Sequence, residues 1–266
     1  MNSGDPKNEQ RTVAWVITIA LAIAPDVVVA GVTSLFRWAM FIVLLSPAIV
    51  PFVWQRVRQL RMYAAILLLL QLLAVFFWNG FALWAAGQPW FPKGPSLNAF
   101  LLLLPKVIAA FVMILALSLL GFRRREYFLT AGASLPRWTG PAIAVAVFLG
   151  LGMFVYLQRH AENATANRGL VMPLVLASMN AFGEEMLYRG VLLAPLLRYF
   201  DAGQAVLMTA TVFGIAHYYG TPSGLPGIML TLFAGAVFGY AMVGTRGLAA
   251  PWFLHLLPDV VIMLMA

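Results

Sequence analysis

The chain has 266 residues, of which 62% are apolar and only 10% charged, with a formal net charge of +8. A soluble domain carries about a quarter charged residues, so too little polar material is present to solvate a globule, and apolar runs near the roughly 20 residues that cross a bilayer recur along the chain. This excludes a sizeable soluble domain and makes the lipid bilayer the solvent; the basic residues, scattered singly or gathered in two short loops flanking apolar spans, fit positive-inside topology and not a nucleic-acid surface, and the absence of cysteine excludes disulfides, thiolate metal sites and a thiol nucleophile.

Residues 1–11 read as a short polar leader of mixed charge. Residues 12–158 form the N-terminal transmembrane helices, with spans near Thr12 to Phe36, Trp38 to Trp54, Met62 to Ala86, Leu97 to Phe122 and Trp138 to Gln158. Residues 159–266 form the C-terminal transmembrane helices, near Leu170 to Phe200, Gln204 to Tyr219, Leu225 to Thr245 and Leu248 to Ala266. Pro25 and Pro51 interrupt the first pair, so the expected fold is an all-α polytopic bundle of eight or nine helices. Arg56, Arg58 and Arg61 fill one loop, and Arg123, Arg124, Arg125 and Arg137 fill the loop two spans later, whereas the opposite loops hold Lys93, Arg159 and Arg168. The Lys/Arg rule makes the arginine-rich loops and the N-terminus cytoplasmic and, with nine spans, the C-terminus external. Asn163-Ala164-Thr165 matches a glycosylation acceptor, a pattern short enough to arise by chance. Gly235 and Gly239 form a small-xxx-small pair that lets the eighth span pack closely on a neighbour.

Ionisable side chains inside hydrocarbon are costly and mark functional sites. The first five spans hold Asp26 and Lys106, each beside a proline, and both read as kink or snorkelling residues. The last four hold Glu184, Glu185, Arg189, His217, His255 and Asp259. Adjacent glutamates on a helix point about 100° apart, so Glu184 and Glu185 have different tasks. Glu185 and Arg189, four apart, share a face and can form an ion pair. Glu184 is left without a local partner and is aimed at another helix, where a buried carboxylate suits general-base chemistry. Phe213 stands one turn before His217, placed to pack over the imidazole, and His255 and Asp259 form another i, i+4 pair. Burying such a set on apolar helices would cost several kcal/mol without a functional return.

In order, spacing and helical context, Glu184-Glu185-x-x-x-Arg189, Phe213-x-x-x-His217 and His255-x-x-x-Asp259 resemble the three motifs of the CAAX-protease and bacteriocin-processing family (CPBP, or Abi), intramembrane peptidases that include the type II CAAX prenyl endopeptidases. The resemblance covers Leu170 to Ala266. It implies that Glu184 activates water with help from His217, that Glu185 and Arg189 are a structural pair, and that His255 and Asp259 act on the scissile carbonyl and its oxyanion. The family's last motif commonly ends in asparagine. An ionised Asp259 cannot donate to an oxyanion, so it is expected to orient His255. The implied substrate is a membrane-anchored or lipidated protein or peptide, cut in a C-terminal tail, sorting signal or leader, and the implied location is a bacterial inner membrane. Glu184, His217 and His255 also make an alternative zinc set with one open position; the zincin HExxH helix is absent, which favours catalysis without a cofactor. Other readings are a non-catalytic immunity or scaffold member of the family and a proton-coupled transporter, although no related halves of the transporter kind are evident.

Overall fold

A computed structural model of the chain describes residues 6–29, 35–92, 95–133, 143–145, 147–152, 154–155 and 169–265. Helix α1 (Pro6–Val29) begins inside the polar leader, so Lys7 to Arg11 form its first turns. Helix α2 (Leu35–Leu45) runs on through a 3₁₀ stretch, Ser46–Ile49, into a last turn, Val50–Val53. Pro47 and Pro51 are the second residues of those two pieces, within the first turn, where a missing N–H is tolerated. Helix α3 (Gln55–Ala86) contains a π-helical stretch, Leu73–Asn79, and α4 (Pro95–Leu119) follows. After a short helix α5 (Ile143–Gly152), α6 (Val171–Glu184) continues through a second π-helical stretch, Glu185–Val191, and the turn Leu193–Leu196. The chain closes with α7 (Ala202–Ile215), α8 (Gly224–Thr245) and α9 (Ala249–Met265).

Among the described residues there are nine helices and no strand, the all-α bundle that composition and periodicity predict. Lys7–Val27, Gln55–Ala86, Leu97–Leu119 and Gly224–Thr245 are long and apolar enough to cross a membrane by length and composition alone. The remaining apolar helices are shorter, and α6 carries Glu184, Glu185 and Arg189 at its centre instead of an unbroken apolar run. The expected boundary between residues 158 and 159, the Asn163-Ala164-Thr165 pattern, and Lys93, Arg137, Arg159 and Arg168 lie outside the described residues.

The core joins both parts of the chain, with Leu21 and Leu67, Met113, Leu187 and Met208 in one buried cluster. A hydrogen bond of 2.7 Å between the Thr18 and Tyr63 hydroxyls satisfies two polar atoms between α1 and α3. Helix α7 lies closely along α8, and the glycine pair explains why. A methyl at Gly239 would come 2.8 Å from Val206 Cγ1, and one at Gly235 would come 3.0 Å from both Phe213 Cδ1 and Arg189 Nη2. Small residues therefore bring the arginine of α6 and the phenylalanine of α7 under α8. Helix α7 starts on an N-cap, Asp201, whose carboxylate accepts from the Gln204 N–H at 2.9 Å.

Candidate active site

The last α-helical residue before the second π-helical stretch is Glu184, and the first residue within that stretch is Glu185. Such stretches interrupt the regular ladder and re-aim side chains. Glu185 Oε1 accepts from Arg189 Nη1 at 2.9 Å, and both side chains are completely buried. The i, i+4 pair read from the spacing is thus formed. The Arg189 guanidinium also lies 4.1 Å from the Phe213 ring centroid and 5.4 Å from that of Phe238, which offsets part of its desolvation.

His255 Nδ1 lies 2.8 Å from Glu185 Oε1. A carboxylate only accepts, so this nitrogen carries the proton. The ring stacks on Phe238 with centroids 4.9 Å apart, and Nε2 stands 3.5 Å from both Glu184 Oε2 and Asp259 Oδ1. The i, i+4 approach of Asp259 to His255 is present at Nε2, but Nδ1 is bound by Glu185, a partner that the spacing does not show. Asp259 also accepts at Oδ2 from Asn180 Nδ2, at 3.0 Å.

Lys106, expected as a satisfied kink or snorkelling residue, finds its partners inside the site. Its stem runs over Gly183, and Nζ donates to Glu184 Oε1 at 2.6 Å and to Asn180 Oδ1 at 2.8 Å. Glu184 is indeed aimed at another helix, and what it meets there is an ammonium group from α4. Hydrogen bonds and close approaches therefore run in a ring through Glu184, Lys106, Asn180, Asp259 and His255, drawn from α4, α6 and α9. The sequence reading missed Asn180 and the partner of Lys106. The available signals were an amide one turn before Glu184 and a cation in an otherwise apolar span.

His217 sits just past the end of α7. Its Nδ1 is 2.8 Å from the Phe213 carbonyl oxygen, which can only accept, so Nδ1 donates and the Nε2 lone pair of a neutral ring is left available. The Phe213 and His217 rings meet edge to face, centroids 4.5 Å apart, as their spacing predicts.

A cavity of about 460 Å³ brings these groups together. Lys106, Asn180, Glu184, His217 and Asp259 line it, and Asp26, Gln71 and Asn79 from α1 and α3 also line it. Those last three side chains make no hydrogen bond or ion pair among the described residues. The buried Glu184 Oε2 likewise has no hydrogen-bond partner there. Asp26, Lys106 and Asp259 each follow a proline inside a helix, which removes one intrahelical hydrogen bond apiece and suits a polar cavity at membrane depth. A smaller pocket of about 150 Å³ reaches His217, His255 and Asp259 from the side of Phe148, Phe233 and Phe238.

For the zinc alternative on Glu184, His217 and His255, the Lys106 ammonium is bonded to one Glu184 oxygen, while each histidine is held through Nδ1 and keeps Nε2 for another partner. Among the described residues no group of three His, Asp or Glu side chains is spaced to hold a metal ion.

Residues 166–261 match the family model described as type II CAAX prenyl endopeptidase Rce1-like, part of the CPBP family. No curated protein and no solved structure matches the chain.

Proposed function

We propose that this chain, whose residues 166–261 match the Rce1-like family model, is an intramembrane endopeptidase that uses a glutamate-activated water. The observation that carries the proposal is the meeting of Glu184, His217 and Asp259 on one cavity inside the bundle, with Glu184 Oε2 buried without a hydrogen bond, 3.5 Å from His255 Nε2. Glu184 Oε1 is tied to Lys106, so the free oxygen is the one that takes the water proton, and His217 Nε2 holds the same water. The water oxygen attacks the carbonyl carbon as its proton passes to Glu184. His255, an imidazolium among the Glu185, Glu184 and Asp259 carboxylates with Nδ1 donating to Glu185, donates from Nε2 to the developing oxyanion; the carbonyl then re-forms as the Glu184 proton goes to the departing amine and the C–N bond breaks. Asp259 is held by Asn180 and keeps His255 between two carboxylates. The amide and carboxyl side chains of Gln71, Asn79 and Asp26 offer donors and acceptors to a peptide backbone lying in the cavity. No metal takes part in this reading.

The substrate class is a peptide segment of a membrane-associated protein, and the location a bacterial inner membrane. Replacing the base by its isosteric amide tests the reaction. Glu184→Gln is expected to lower cleavage by about 10²–10⁴-fold, the usual contribution of a positioned base, with the melting temperature in detergent largely kept. The measurement is a mass-spectrometric comparison of protein termini in membranes from cells carrying wild type or the variant. Identical termini in the two would defeat the proposal.

A further inference from the structure

The bundle has two chemically different ends. At one end lie the start of α1 with Lys7 and Arg11, the start of α3 with Arg56, Arg58 and Arg61, the loop after α4 with Arg123, Arg124 and Arg125, and Arg198 and Arg246. Contacts tie these segments together. Arg56 pairs with Glu9 at 3.0 Å, Arg198 pairs with Glu126 at 2.6 Å, and Thr130 Oγ1 donates to the Arg246 carbonyl at 2.8 Å. A surface hollow lined by Arg11, Asp201 and Tyr240 joins the starts of α1 and α7 to the last part of α8 at this same end.

The site cavity is built from the opposite ends of the same helices. Its lining takes in Asp26 near the end of α1, Asn79 and Ala82 late in α3, Leu102 early in α4, Gly220 and Thr221 in the turn between α7 and α8, and Ile262 and Met263 late in α9. Around that rim the described residues supply Arg37 at the start of α2, against ten basic residues at the other end; by sequence the loops add Lys93, Arg159 and Arg168 to the first side and Arg137 to the second, so the imbalance remains. Cytoplasmic ends collect Lys and Arg because translocating them is unfavourable.

The geometry points to a cavity that opens on the non-cytoplasmic side of the membrane, so that the segment it receives is a peptide presented from outside, or from the outer half of the bilayer, and not a cytoplasmic tail. The sidedness stands on charge and helix direction alone; the identification of the occupant as a peptide rests on the peptidase reading above.

The lack of cysteine in the chain makes the test direct. Single cysteines are placed at the cavity end, Gln88→Cys and Ser223→Cys, and at the basic end, Arg58→Cys and Arg124→Cys, in the full chain expressed in bacterial spheroplasts. A membrane-impermeant maleimide is applied before and after permeabilisation. Gln88→Cys and Ser223→Cys are expected to label fully in intact spheroplasts with no gain on permeabilisation, whereas Arg58→Cys and Arg124→Cys rise from background only after it. The reverse pattern, or labelling of both ends from both sides, overturns the inference. Two positions at each end keep the result readable if one variant fails to insert. Cleavage measured in the same membranes reports separately on the peptidase reading, which survives either orientation.

Discussion

Glu184 and Glu185 are neighbours in the chain, yet they belong to different regions of the molecule. Glu185 is enclosed by the C-terminal helices: its cation, Arg189, comes from its own helix, its second partner, His255, from α9, and the ion pair is wholly buried. Glu184 stands at the seam with the N-terminal helices. Its cation, Lys106, comes from α4, outside the segment that matches the family model, and the pair borders the cavity, with 21% of the lysine side chain and 7% of the glutamate side chain exposed. Both carboxylates leave Oε2 without a hydrogen bond, but Glu185 is sealed with Oε1 shared between two donors, whereas Glu184 is tethered through Oε1 at the cavity and has Oε2 3.5 Å from His255 Nε2. The contrast separates a glutamate that holds the site together from one that can react in it.

The largest effect expected from breaking this contrast is on the sealed side. Glu185→Ala leaves Arg189 charged and unpaired among aromatic rings, and removing one partner of a buried ion pair costs about 3–5 kcal/mol. Thermal unfolding in detergent should therefore show a large loss of stability. Cleavage should be lost as well, because His255 no longer has its Nδ1 acceptor. A stable Glu185→Ala protein would show that the pair is not the support described. On the open side the loss is smaller. Lys106→Met removes charge-assisted hydrogen bonds worth about 1.5–3 kcal/mol, since the cavity gives the freed carboxylate access to water. Activity should fall about 10–100-fold, as when other groups that orient a reacting side chain are removed, and Lys106→Arg should recover part of it. The diagnostic readout is that the fall lies in kcat and not in KM. A Lys106→Met variant with undiminished kcat would remove α4 from the mechanism and leave the reaction to the C-terminal helices.

The same contrast explains what was legible in the sequence. Helical periodicity gives neighbours on one helix, so the pairing of Glu185 with Arg189 and of Phe213 with His217 follows from spacing alone. Hydrophobic runs gave the expected eight or nine helices, and nine are present among the described residues, for the same local reason. Which helix lies against which is decided by the packing of whole faces, and no local pattern records it. That is why Lys106, 78 positions from Glu184, read as an isolated cation, and why Asn180 drew no notice. It is also why Asp259 was expected to orient His255. The i, i+4 pair was visible, but the competing acceptor, Glu185, arrives from another helix 70 positions away, re-aimed by a π-helical stretch that apolar spacing does not reveal.

The smallest effect belongs to a pair far from the seam. Glu126 accepts from the Arg123 N–H at 2.8 Å and from Arg198 Nη2 at 2.6 Å, in the loop at the basic end. The Arg123 N–H first, and then the Arg198 guanidinium, hold its carboxyl below the ordinary glutamate value of 4.5. A carboxyl held down in the folded state favours folding above its unfolded value, and that contribution is lost as pH falls through the lower folded value. Glu126→Gln should thus melt slightly below wild type near neutral pH, and the difference should shrink to nothing as the solution is acidified through and below the ordinary carboxylate range. Because the two side chains are 38% and 40% exposed, molar salt should erase the difference too, whereas the deficit of Glu185→Ala should persist in the same salt. If the two variants respond alike to salt, the distinction between a sealed and a solvated carboxylate fails, since screening reaches only charges that solvent reaches.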